Sequence, residues 1–113
     1  MPEAPRPEAR NLKRGGRITP DGSKYIRGRV EIKRPGEETG AHVTAGKEEV
    51  IIVLEGTATV RLGRRMVKLR PGFAFFIGEG VLHNVRNEGR KRLRYVYVRS
   101  LGADEQEHSH HHH

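Results

Sequence analysis

The chain has 113 residues, enough for one domain with a small core, and 34% of them are hydrophobic. It carries 22 Lys and Arg against 14 Asp and Glu, for a net charge of +8, and it has no cysteine, which excludes disulfides and thiolate metal sites. No apolar run approaches the about 18 residues that a membrane span needs, and the N-terminus shows no signal-peptide core, so a cytoplasmic protein is expected. Val and Ile total sixteen, and with 14 Gly and six Pro they favour strands and turns over helices. A charged share of 32% without Trp fits a thermophilic source. The basic residues are scattered along strands and turns, so a solvated, salt-bridged surface is expected, and nucleic-acid binding ranks last among the functions.

In chain order, residues 1–17 hold three Pro, five Arg and Lys and the pair Gly15-Gly16, with Leu12 the one sizeable apolar residue after Met1. This is read as a flexible basic arm, which could also add a strand to a partner subunit. Thr19-Pro20-Asp21-Gly22-Ser23 is a turn. Residues 25–33 alternate, with Ile26, Val30 and Ile32 on the face expected to be buried and Arg27, Arg29 and Glu31 on the other. Residues 42–44 are a short strand. Glu49 to Glu55 is the strongest strand, apolar on both faces over Val50–Leu54, and so expected to be covered on both sides. Strands follow over 57–62, 66–69, 73–77, 82–86 and 91–99, with turns at Gly63, Pro71-Gly72, Gly78-Glu79-Gly80 and Gly89. The tail from Gly102 is polar, and its terminal run His108-Ser109-His110-His111-His112-His113 is a His-rich tract or tag, set aside from the site argument. About nine short strands with regular turn signals predict an all-β sandwich or barrel over residues 18–101.

Outside the tail the chain contains two histidines, His42 and His83, both in strand-like segments beside Gly-rich turns. His42 and Thr44 stand two apart and share a strand face, and Glu49 opens the apolar strand that follows. Two histidines and a carboxylate gathered by a β-fold suit a divalent transition metal, of the Fe, Mn, Zn or Ni kind.

The spacing of these residues resembles the cupin superfamily. Gly36, five residues, His42, one residue, Thr44, four residues, Glu49, six residues and Gly56 follow the first cupin motif. Gly72, five residues, Gly78, one residue, Gly80, two residues, His83, three residues and Asn87 follow the second. The resemblance implies a small antiparallel β-barrel or jelly roll, the double-stranded β-helix. It also implies a metal site at His42, Glu49 and His83. Two positions depart from the pattern: Thr44 replaces the second histidine of the first motif, and Gly78 replaces the proline of the second. A set of two histidines and one carboxylate leaves coordination positions open, as in Fe(II) sites that support oxygen chemistry.

Further site candidates are Thr44, whose hydroxyl could position a water or substrate oxygen, and Tyr95 and Tyr97, whose phenols could donate a proton or hydrogen bond. Ile51 and Val53 share the face of Glu49 and are expected beside the metal, while Glu48 points to solvent. Phe73, Phe75 and Phe76 are core or dimer contacts, and Arg27, Arg29 and Arg94 are surface residues or selectors of an acidic substrate. The expected function is that of a small metal-dependent enzyme of dioxygenase, isomerase or decarboxylase type, acting on a small polar or acidic molecule. The alternative is a non-catalytic cupin that binds a small molecule, with or without a structural metal. A homodimer is expected, formed through one sheet.

Overall fold

A computed structural model of the chain describes residues 4–102. The strands are β1 (Gly16–Arg17), β2 (Ile26–Lys33), β3 (His42–Val43), β4 (Glu49–Glu55), β5 (Ala58–Leu62), β6 (Arg65–Leu69), β7 (Ala74–Ile77), β8 (Leu82–Arg86) and β9 (Leu93–Ser100). Among the described residues there is no helix, and so none long and apolar enough to cross a membrane. The polar tail expected from Gly102 lies, apart from Gly102 itself, outside the described residues.

The strands form a five-stranded sheet, β1-β2-β9-β4-β7, and a four-stranded sheet, β3-β8-β5-β6, with every pairing antiparallel. The core lies between them. Ile51, Val53, Ile77, Leu93 and Tyr95 come from the first sheet and meet Ala58, Val60, Leu69 and Val85 from the second. Each is a period-2 position of its strand, so alternation alone puts these side chains on one face. This two-sheet architecture is the all-β jelly roll that the resemblance implied.

The closing residues of the two motifs are structural. β4 bulges between Val53 and Glu55 against β9, and Gly56 then turns the chain with φ at 78°. A Cβ on Gly56 would fall on the Arg92 carbonyl oxygen, so only glycine fits. Asn87 is fully buried; its amide donates to the carbonyls of Lys33 and Lys91, both at 2.8 Å, and accepts from Gly89 N at 3.0 Å. It thereby ties the end of β8 to β2 and to the turn before β9.

Three expectations change. Gly16–Arg17, expected in the basic arm, is an edge strand paired with β2, and Arg94 reaches back to donate to the Leu12 carbonyl at 2.7 Å. Ile18 packs over Gly28, so closely that a Cβ there would lie within 3.0 Å of it. The second change concerns the faces of β2. The register sets Arg27, Arg29, Glu31 and Lys33 opposite Arg99, Tyr97, Tyr95 and Leu93. Directly opposed residues share a face, so the charged side of β2 is the barrel side. Val30 is buried on the outer side, and Ile26 is 49% exposed. Third, on β4, Ile51 and Val53 are fully buried but Val50, Ile52 and Leu54 only half so, so its outer face is incompletely covered within one chain. The phenylalanines divide: Phe75 packs against the core, while Phe73 and Phe76 are 52% and 59% exposed.

Candidate metal centre

β3 and β8 pair with His42 directly opposite His83, and the rings meet edge to face with centroids 4.1 Å apart. β4 brings Glu49 to the same place from the other sheet, with its Oε2 3.8 Å from His83 Nε2. Donor atoms of His42, Glu49 and His83 all lie within 4.8 Å of one another, so the three residues singled out by spacing converge.

Each imidazole is oriented by its own backbone. His42 Nδ1 lies 3.0 Å from the Gly40 carbonyl oxygen, and His83 Nδ1 lies 3.0 Å from that of Val81. A carbonyl only accepts, so each Nδ1 donates to it, which leaves Nε2 as the nitrogen of each ring that can ligate. His83 is 1% exposed, and its Nε2 has no hydrogen-bond partner. A buried orphan acceptor costs about 1–3 kcal/mol. Glu49 is 7% exposed; burial raises its carboxyl above the ordinary value, and the nearby His83, His42 and Arg99 only partly oppose this. Two ring nitrogens and a poorly solvated carboxylate form a donor set suited to a divalent transition metal. Two donors each about 2.1 Å from one ion lie roughly 3–4 Å apart, and the Glu49–His83 separation of 3.8 Å falls in that range. The residues therefore fit a metal.

Thr44 is buried beside these three but does not use its hydroxyl for a ligand. Its Oγ1 donates to the Gly78 carbonyl at 2.6 Å and accepts from Val81 N at 3.3 Å, while Gly80 N donates to the Thr44 carbonyl at 2.9 Å. It clips the end of β3 to the turn that leads into His83. With its proton committed to Gly78, the hydroxyl can meet a water in the cavity it lines only as an acceptor.

A cavity of about 360 Å³ opens beside His42 and Glu49, lined in addition by Glu31, Lys47, Tyr95, Tyr97 and Arg99. Both tyrosines named as site candidates therefore line the cavity. Burial, with the Glu31 and Glu49 carboxylates and Tyr97 adding to it, holds the Tyr95 proton far above the ordinary phenol range. Ile51 and Val53 lie beneath in the core rather than on the cavity wall, and Glu48 is exposed on the other face. Arg94 pairs with Glu55 away from the site, Nε to Oε1 at 3.2 Å. Sequence reasoning missed Lys47 and Arg99. The alternation of β9 held a signal for Arg99, which is two residues beyond Tyr97 and so on its face.

A barrel of two antiparallel sheets with two histidines and a glutamate at one end defines a small jelly-roll protein with a candidate metal centre. The sequence matches the Cupin_2 family, described as a cupin domain, over residues 29–99, and the chain belongs to that family. No curated protein matches. Among solved structures the chain is similar to TT1209 from Thermus thermophilus, at 31% identity and a TM-score of 0.68, covering 81% of this chain and 89% of that one. It also resembles a Cupin 2 conserved barrel domain protein from Salinispora arenicola, at 19% identity and a TM-score of 0.72 over 96% and 100% of the two chains. A predicted oxalate decarboxylase from Thermotoga maritima matches at 24% identity and a TM-score of 0.65 over 69% and 68%. The last two likenesses speak for the fold alone.

Proposed function

We propose that this cupin holds one divalent transition metal on His42, Glu49 and His83 and uses the centre on a small polar or acidic molecule. The observation that carries the reading is the buried, partnerless Nε2 of His83 facing the Glu49 carboxylate. A metal ion at this point would give that buried nitrogen its partner. Bound there, a metal of this kind supplies Lewis acidity or one-electron chemistry at its open positions. The chain's own residues do the rest. The Gly40 and Val81 carbonyls hold the two imidazoles in the ligating tautomer. Thr44 holds the Gly78–Val81 turn and, being smaller than histidine, leaves one side of the centre open to the cavity. Tyr95 keeps its proton across the working range and is placed to donate a hydrogen bond to a bound oxygen.

Metal titration tests this reading in a chain whose terminal histidines are replaced by serine. Close to one Co2+ per chain is expected, with binding lost in His83→Ala and Glu49→Gln. Uptake below about half an ion per chain, or uptake unaffected by both substitutions, contradicts it.

A binding role without turnover is the second reading. What favours it is the commitment of the Thr44 proton to Gly78, together with the high proton affinity of Tyr95; both leave the cavity short of groups that release a proton near neutral pH. Assembly as a homodimer is part of the proposal. The half-buried outer face of β4 and the exposed Phe76 beside it support pairing of two such sheets. A cytoplasmic setting is likewise proposed.

A further inference from the structure

The two histidines of the candidate set are carried by segments with little regular structure of their own. β3 has two residues, His42–Val43, where a strand commonly has about 5–6. It pairs with β8 through His42 with His83 and Val43 with Leu82, and His42 is exposed. His83 follows a turn with glycine at positions 78 and 80, and Gly80 has a φ of 78°. Two glycines leave such a turn wide conformational freedom. Thr44 joins the two segments. Its Oγ1 donates to the Gly78 carbonyl at 2.6 Å and accepts from Val81 N at 3.3 Å. Its carbonyl accepts from Gly80 N at 2.9 Å, and its N donates to the Val81 carbonyl at 3.4 Å. Thr44 is 4% exposed, so these bonds are largely shielded from water. The Val81 carbonyl gripped in this way is the one that accepts from His83 Nδ1 at 3.0 Å. Thr44 and Gly78 are also the two positions where the sequence departs from the cupin pattern, and the 2.6 Å bond joins them to each other.

Resting on the metal reading above, we infer that Thr44 is a positioning residue of the centre: through Val81 it aims the His83 imidazole at the ion, without touching the ion itself. The path has two links. Thr44 fixes the Val81 peptide groups, the N–H by its hydroxyl and the carbonyl by its own N–H. The Val81 carbonyl then fixes His83 Nδ1, and a ring held at one nitrogen has the direction of the other set. Thr44 also stands two residues after His42, so the same bonds hold the end of β3 against the turn that carries His83. A ligand has to be held to within about 0.5 Å and roughly 10–20° to serve an ion well. Without the hydroxyl, the glycine turn can rotate the Val81 peptide, and the His83 ring follows it. A proline at position 78 would stiffen the turn by its own ring. With glycine there, the stiffness comes from the Thr44 hydroxyl on the Gly78 carbonyl.

The test uses the full chain with its terminal histidines replaced by serine, beside Thr44→Val, which keeps the shape and removes the hydroxyl, and Thr44→Ser, which keeps the hydroxyl. Co2+ affinity is measured by calorimetric titration, and ligand geometry by the visible absorption of the bound ion. Thr44→Val should bind Co2+ about tenfold more weakly or worse, with a changed visible band, and Thr44→Ser should return the parent's band and an affinity within about threefold. A Thr44→Val chain with the parent's band and an affinity within about twofold overturns the inference even if its Tm falls, because a merely structural threonine gives that result. A loss that Thr44→Ser fails to recover overturns it as well. Where Thr44→Val does not fold, Thr44→Ala, with space for a water at the Gly78 carbonyl, takes its place under the same criteria. If neither folds, the hydroxyl serves the fold alone and the inference is overturned. If the parent chain takes up no Co2+, the metal reading fails by itself, and the aim of His83 is read from imidazole 15N spectra of the metal-free chains at about pH 8. His83 should keep its proton on Nδ1 in the parent and in Thr44→Ser, and share it between both nitrogens in Thr44→Val. The same pattern in all three chains overturns the inference.

Discussion

The buried imidazole of His83 sets up an exchange between stability and metal affinity that His83→Leu should expose. In the metal-free protein, Nε2 is buried without a partner, a cost of about 1–3 kcal/mol. Leucine fills a similar volume and removes that atom. It also removes the Nδ1 hydrogen bond to the Val81 carbonyl, a loss of about 1 kcal/mol. The Val81 oxygen is not stranded by the change, because Thr44 N donates to it at 3.4 Å. The net expectation is a gain of about 1 kcal/mol for the metal-free fold, or roughly 4–8 °C in Tm for a domain of this size. Metal reverses the order. At a free concentration about 100-fold above Kd, the parent protein gains about 2.7 kcal/mol and the variant gains nothing. Thermal and urea melts of both proteins, in chelator and in Co2+, should therefore cross. A variant destabilised by more than about 1 kcal/mol in chelator, beside a parent whose melt ignores metal, would show that His83 is a packing residue and refute the reasoning.

Other consequences can be checked with the same melts. Asn87→Ala removes a buried amide that holds two carbonyls and one N–H, and should cost about 3 kcal/mol in urea denaturation; a loss under about 1 kcal/mol would remove it as a staple. Gly56→Ala forces a Cβ onto the Arg92 carbonyl at a positive φ, and should cost at least about 3 kcal/mol or prevent folding. Glu49 holds its proton more tightly folded than unfolded, so its contribution to stability is largest in acid. That contribution falls as pH rises from the ordinary carboxylate value through the raised folded one. In chelator, Glu49→Gln should therefore lose less stability than the parent protein as pH rises from the ordinary carboxylate value, and equal slopes would contradict the burial argument.

Much of the fold was legible because strand signals in this chain are local. β4 and β8 fall on the residues expected, since a run such as Val50–Leu54 between turn residues has few other structures open to it. The three candidate ligands were legible through their spacing to glycines that shape the turns. What was hidden depends on register. Alternation in β2 separates Ile26, Val30 and Ile32 from Arg27, Arg29 and Glu31 without saying which set faces the barrel. The natural guess, apolar inward, is wrong because the outer side is covered by the segment around β1 and the inner side borders a charged cavity. The same ignorance hid Arg99, whose place opposite Glu49 exists only once β9 pairs with β4. Thr44 was seen as a missing ligand, but its bond to Gly78 spans 34 residues of sequence and no local pattern announces it.

The central claim is that His42, Glu49 and His83 act together on one ion. Anomalous scattering from crystals of the terminal-serine chain grown with Co2+ tests it most directly. The account predicts one strong peak per chain within bonding distance of both Nε2 atoms and the Glu49 carboxylate. Crystals saturated with Co2+ that show no peak there, or show it only at other residues, would contradict it.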